Sequence, residues 1–219
     1  MILAAGRGER MRPLTDTIPK PLLKVGGDYL IARHIHSLVS AGISEIVINH
    51  AWLGEQIEQA LGDGRQYGAQ ILYSAEGDVG LETAGGIARA LPLLGEEPFV
   101  VVNGDVWSDF QFETLPVAPT GLAYLVLVDN PLFHSSGDFI LQDGCVQSEG
   151  EQKLTFSGIG VYRPELFAGV PDGRASLAPL LREAMAQGKV SGEYYRGGWM
   201  DVGTPERLSE LDRQLCGNS

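Results

Sequence analysis

Apolar and β-branched residues gather in short runs at 1–5, 45–49, 70–73, 99–103 and 122–128. Between these runs, helical spacing appears at 29–41, 52–61 and 83–94. In the first helical stretch Leu30, Ile31, Ile35, Leu38 and Val39 recur at three- and four-residue intervals, giving one apolar face, and Gly42 stops it. Strands that are apolar almost throughout, alternating with helices, predict an α/β fold whose mostly parallel sheet is covered on both faces. Beyond about residue 130 the texture changes. Segments 138–141, 145–147 and 153–162 read as antiparallel strands joined by Gln-Asp-Gly and Glu-Gly turns, and helices are expected at 177–187 and 205–215. Thr204 is placed to cap the last helix, with Pro205 at its first position and Glu206 in its first turn. No repeat, low-complexity tract or linker interrupts the chain, so residues 1–219 are expected to form a single domain.

The formal charge of −12 argues against a nucleic-acid partner, because an acidic surface repels a phosphate backbone. Against that background Arg7, Arg10, Arg12, Lys20 and Lys24 crowd into one short segment, a local positive field suited to a small anion. Cys145 and Cys216 lie far apart with no Cys-x-x-Cys or Cys/His cluster, so free thiols in a reducing cytoplasm are expected. No apolar run reaches the length of a membrane span, and no secretory cleavage pattern opens the chain. Met1 stands inside the first apolar run, which leaves room for native residues before it. His34, His36, His50 and His134 have no partners at ligand spacing and read as structural. No membrane association or obligatory protein partner is expected.

The densest signal is the turn after the first run, Gly6-Arg7-Gly8-Glu9-Arg10-Met11-Arg12-Pro13-Leu14-Thr15. Glycines at a strand end let the backbone approach a polyanion, and the arginines add charge. It is not a Gly-x-x-x-x-Gly-Lys-Ser/Thr loop, and the third glycine of a dinucleotide fingerprint is replaced by Met11. The run from Leu3 to Thr15, followed by Pro19-Lys20-Pro21-Leu22, instead resembles the signature of the sugar-phosphate nucleotidylyltransferases. A second strand-end signal, Asn103-Gly104-Asp105, and the context Trp199-Met200-Asp201-Val202-Gly203-Thr204-Pro205 match two further motifs of that family.

The resemblance implies a Rossmann-like sheet of the nucleotide-diphospho-sugar transferase fold. Residues up to about 128 would hold the nucleotide, and a smaller antiparallel part, about 129–219, would hold the acceptor. It implies transfer of a nucleotidyl group from a nucleoside triphosphate to a sugar 1-phosphate with Mg²⁺, which Asp105 and Asp201 would bind through hard oxygens. The attacking phosphate is already anionic, so the site needs positive charge and alignment rather than a general base. Arg10, Lys20 and Asp105 would be the catalytic set. Leu3, Ala4, Ala5, Gly6, Arg7, Gly8, Ser74, Glu82 and Thr83 would line the nucleotide pocket, with Glu82 standing where relatives carry glycine. Asn103, Gly137, Asp138, Glu149 and Gly158 would meet the sugar.

Among subfamilies the chain most resembles the single-domain N-acetylmuramate 1-phosphate uridylyltransferases of cell-wall recycling. The matching stretches include Val47-Ile-Asn-His-Ala-Trp-Leu-Gly, Glu82-Thr-Ala-Gly-Gly-Ile and Lys189-Val-Ser-Gly-Glu-Tyr-Tyr-Arg-Gly. That implies UTP as donor, with Arg196 a candidate partner for the lactyl carboxylate of the sugar. The alternatives are a mannose-1-phosphate guanylyltransferase, a glucose-1-phosphate thymidylyl- or uridylyltransferase, or a non-catalytic sensor of nucleotide sugars. The hexapeptide periodicity of larger relatives is absent, so no acyltransferase activity is expected.

Overall fold

A computed structural model describes residues 1–217. The first half comprises β1 (Ile2–Leu3), β2 (Lys24–Val25), β3 (Asp28–Tyr29), α1 (Leu30–Ser40), β4 (Glu45–His50), α2 (Gly54–Leu61), β5 (Gln70–Ala75), α3 (Glu82–Leu94), β6 (Phe99–Asn103), β7 (Val106–Ser108) and β8 (Ala123–Val128). The second adds β9 (Ile140–Gln142), β10 (Cys145–Gln147), β11 (Thr155–Tyr162), α4 (Leu177–Ala186), β12 (Val190–Tyr194), β13 (Trp199–Asp201) and α5 (Pro205–Gly217).

Nine strands form one sheet in the order β5-β4-β1-β6-β11-β8-β12-β10-β9. The quartet β5-β4-β1-β6 is parallel throughout, as the near-continuous apolar runs predict. From β11 onward the sheet is mixed: β11 runs antiparallel to both β6 and β8, and β12 returns parallel to β8. Strand β12 has no counterpart among the sequence expectations, because Ser191, Gly192 and Glu193 break its apolar pattern. Buried residues divide between the two faces. Ile31, Ile35, Ile57 and Leu61 pack from α1 and α2 onto Ile2, Ile46, Ile48 and Val102. On the other face Ile87, Ala90, Leu181 and Met185 from α3 and α4 meet Val47, Val101, Leu125 and Leu127. The parity of the strand residues explains the split, since successive side chains point to opposite faces.

Helix α1 ends as the Gly42 signal predicts. Gly42 sits at φ 81°, its amide donates to Val39 O at 2.9 Å, and the Ile43 amide donates to Leu38 O at 2.9 Å. These two bonds are the paired closure of a left-handed C-terminal cap. No atom lies within 4 Å of where a Gly42 Cβ would stand, so Gly42→Ala isolates the backbone term. The substitution should destabilise the fold by about 1–2 kcal/mol, measured by urea unfolding. An unchanged midpoint would mean that the cap contributes nothing.

The order 3-2-1-4 of the parallel quartet reverses direction at β1 and β6, and in open sheets of this kind a crevice opens there beyond the carboxyl ends of the strands. Outside the main sheet, β7 and β13 form a two-stranded antiparallel ribbon pairing Asp201 with Val106, and α5 follows at once. Helix α5 is anchored by Val202 and Leu211, which pack with Val25 and Leu30. Its Asp212 carboxylate accepts from the Gly26 amide at 2.7 Å. The Thr204 hydroxyl caps its first turn through the Arg207 amide at 3.4 Å.

Candidate active site

The crevice at the β1–β6 switch is a cleft of about 740 Å³. Its floor is the glycine loop. Gly8 adopts φ 68°, and a Cβ there would press on Thr15 Cγ2 at 3.0 Å and Lys20 Cβ at 3.2 Å, so this position demands glycine. The Thr15 hydroxyl fastens the loop by donating to Gly8 O at 2.8 Å. Gly104 packs its backbone against Leu3, donating to Leu3 O at 2.8 Å, in a space a Cβ would fill.

Of the residues assigned to nucleotide and catalysis by sequence, Leu3, Ala4, Ala5, Gly6, Arg7, Gly8, Arg10, Lys20, Glu82, Thr83 and Asp105 line this cleft, with Asn103 beside them. The two loop arginines differ in freedom. Arg7 is spent on bracing the loop: it donates to Thr15 O at 2.7 Å and Asp16 Oδ1 at 3.0 Å, and lies 4.0 Å from the centre of the Trp52 ring. Its hydrogen bond is the main reason that the Asp16 carboxyl is held below its ordinary range. Arg10 is 65 % exposed, and its nearest carboxylate is Asp201 at 3.9 Å, which leaves its planar fork available to an anion. Lys20 is buried between Pro19 and Pro21 and donates to Asp105 Oδ2 at 2.6 Å.

Asp105 and Asp201 reach the same end of the sheet from opposite halves of the chain. The Val202 amide donates to Asp105 O at 2.9 Å, which locks the β13 end against the Asn-Gly-Asp turn. Asp201 is not itself in the cleft lining; it lies next to two residues that are, Gly203 and Arg10, with Arg10 Nη2 3.9 Å from its Oδ2. No group of three or more His, Cys, Asp or Glu side chains suited to holding a metal occurs among the described residues. Two carboxylates without thiol or imidazole suit a hard cation that takes its remaining ligands from phosphates and water. The donor set therefore fits Mg²⁺ with a bound triphosphate.

The structure does not bring Ser74, Gly137, Asp138 or Glu149 into the cleft lining. Ser74 is buried in β5 opposite Asn49, one strand too far from the glycine loop to border it. Gly137 adopts φ 61° in the turn before β9, where a Cβ would meet Asn130 and the Lys153 backbone, so its turn explains it. Asp138 joins the local backbone: it accepts from the Phe156 amide at 2.9 Å and contacts His134 Nε2 at 2.9 Å. Glu149 is exposed in the turn after β10. Gly158 stands just behind the cleft, at φ 82° in the irregular stretch of β11, where a Cβ would strike the Asn103 side chain. Arg196 packs over the Tyr194 ring at 4.8 Å.

Sequence reasoning missed the polar network that holds the cleft walls together. Asn49 Oδ1 accepts from the Ala4 amide at 2.9 Å, and Asn49 Nδ2 donates to Glu76 Oε1 at 2.6 Å. Glu76 Oε2 then accepts from the Leu81 amide at 2.6 Å. Both side chains are buried, so the carboxylate is fully committed to fixing the loop before α3 against the start of the glycine loop. Gly86 makes room for it, because a Cβ there would collide with both Glu76 and Asn49. Glu82 is also unusual: it is a non-glycine residue at φ 61°, with its carboxylate held by Arg174 and Ser176. The Ser176 hydroxyl, and after it the Arg174 charge, lower the Glu82 carboxyl below its ordinary range.

This geometry coincides with a family match: the model described as "Nucleotidyl transferase" covers residues 1–117, from β1 through the Asn-Gly-Asp turn and β7. The chain belongs to the nucleotidyl transferase family. A protein of Neisseria meningitidis named N-acetylmuramate alpha-1-phosphate uridylyltransferase is 58% identical, over 96% of this chain and 95% of its own length. A Caulobacter vibrioides protein of the same name is 36% identical over 99% of this chain and 96% of its own. Among solved structures, a Bacillus anthracis chain provisionally called a glucose-1-phosphate thymidylyltransferase superposes with a TM-score of 0.86. It covers 98% of this chain and 94% of the other at 20% identity, which speaks for the shared fold alone. In this nucleotidyl transferase no described helix is long and apolar enough to cross a membrane.

Proposed function

We propose that this enzyme transfers UMP from UTP to N-acetylmuramate 1-phosphate, forming UDP-N-acetylmuramate and pyrophosphate with Mg²⁺. The setting is cytoplasmic, as a step of peptidoglycan recycling, with residues 1–128 serving the nucleotide and 129–219 the acceptor. The chemistry rests on one observation above all: Arg10, Lys20 and Asp105 converge on the glycine-loop cleft, with Asp201 tied to its rim. The choice of substrates rests on identity to the uridylyltransferases that runs through both halves of the chain.

A phosphate oxygen of the sugar 1-phosphate attacks the α-phosphorus, the bond from that phosphorus to the bridging oxygen breaks, and pyrophosphate leaves with the electron pair. Mg²⁺ held by Asp105 and Asp201 would neutralise charge on the phosphates. Arg10, with its fork free, would grip the leaving pyrophosphate. The ammonium of Lys20, itself buried, would lower the repulsion between the two anions. A panel of four nucleoside triphosphates against several sugar 1-phosphates, read by pyrophosphate release, tests the assignment. UTP with N-acetylmuramate 1-phosphate should give the highest kcat/KM. Clear superiority of GTP with mannose 1-phosphate would overturn it.

A further inference from the structure

Arg207 lies in the first turn of α5, an awkward place for a cation, since the helix dipole disfavours positive charge there. Its surroundings explain why it is there. Its side chain is only 15 % exposed, and Nη1 donates to Asp201 Oδ2 at 2.8 Å. The other flank of the guanidinium is covered by Phe133, with 4.0 Å between Cζ and the ring centre. Phe133 comes from the turn after β8, so a residue of the acceptor half closes over this ion pair. The two oxygens of Asp201 are thereby made unequal. Oδ2 is taken by Arg207, with Arg10 Nη2 further off at 3.9 Å. Oδ1 faces Gly203, lying 3.0 Å from where a Cβ on that residue would stand, and Gly203 lines the cleft. The same hypothetical Cβ would stand 2.6 Å from Arg207 Nη2 and 2.9 Å from Arg10 Nη2, so glycine is what allows the three charged groups to meet.

We propose that Arg207 is a positioning residue that clamps Asp201 by one oxygen and presents the other, singly, to the divalent ion, while Phe133 keeps water off the clamp. The inference rests on the metal-assisted reading above and adds a residue to it. Arg10 is free to leave Asp201 for the phosphates when they arrive; Arg207, buried and stacked, stays. Groups that hold a ligating carboxylate typically affect ion affinity by 10–100-fold. Mg²⁺ binds with few protein ligands in strict geometry, so a carboxylate free to rotate or to chelate with both oxygens serves it poorly.

The test uses the full chain, with Arg207→Gln, Arg207→Lys, Asp201→Asn and the double variant Arg207→Gln/Asp201→Asn. Mn²⁺ binding in the presence of UTP and without acceptor is followed by electron paramagnetic resonance, alongside the Mg²⁺ dependence of turnover. Arg207→Gln should weaken the ion by about 10–100-fold, recover most of its kcat at saturating Mg²⁺, and add nothing in the Asp201→Asn background. Arg207→Lys should fall between Arg207→Gln and the parent. If Asp201→Asn weakens Mn²⁺ binding and Arg207→Gln does not, or lowers only the melting temperature, the clamp is refuted and the metal reading survives. If neither substitution moves the ion, both are refuted together.

Discussion

Asp105→Asn should lower pyrophosphate release by about three orders of magnitude while the protein stays folded, because an amide oxygen cannot replace a carboxylate beside a divalent ion and a triphosphate. The choice of asparagine over alanine follows from Lys20. Its buried ammonium donates to Asp105 Oδ2 at 2.6 Å, and alanine would leave that donor without a partner, at a cost of about 1–3 kcal/mol. Asparagine keeps an acceptor within reach. Comparing the two variants therefore separates the chemical role of the carboxylate from its structural one. Both should be nearly inactive in a coupled pyrophosphate assay, with the alanine variant the less stable in thermal unfolding. Near-normal turnover in Asp105→Asn would remove the carboxylate from the mechanism.

Asn49→Leu should be the most damaging single change away from the reacting groups. It strands the Ala4 amide and takes one of two partners from the buried Glu76 carboxylate, while Leu81 keeps the other. Two buried polar groups left short of a partner give an expected loss of about 2–5 kcal/mol, read from urea unfolding. Because the network joins the glycine loop to the loop before α3, KM for the nucleotide should rise more than kcat falls. An unchanged KM accompanied by the full loss of stability would confine the network to a supporting part in the fold.

Legibility in the sequence followed burial. Strands β1, β4 and β6 are covered on both faces, so their residues are apolar almost throughout and the runs at 1–5, 45–49 and 99–103 mark them. Strand β12 is half-exposed along Ser191–Tyr194 and carries a glycine, so nothing in its composition separates it from a loop. The glycine loop was legible because its conformation demands glycine at position 8, at φ 68°, inside a dense run of arginines. The Asn49–Glu76 pair was not, since it depends on β4 standing beside both β1 and β5, a fact of register rather than of local pattern. Ser74 illustrates the same limit: two residues before Glu76, which follows the end of β5, it sits opposite Asn49 yet stays outside the cleft lining. Arg7 and Arg10 look alike in the sequence, and only the neighbourhood of Thr15, Asp16 and Trp52 shows that one is a brace and the other is free.

The β7–β13 ribbon stands apart from the nine-stranded sheet, yet together with the Val202–Asp105 backbone bond at its end it brings residues 105 and 201 side by side. Everything that separates those two positions along the chain belongs to one long excursion that leaves the ribbon and comes back to it. On the proposed function, loops within that excursion could be lengthened, trimmed or exchanged to refashion what is accepted while these two acids keep their places, and new specificities would then arise without rebuilding the chemical machinery.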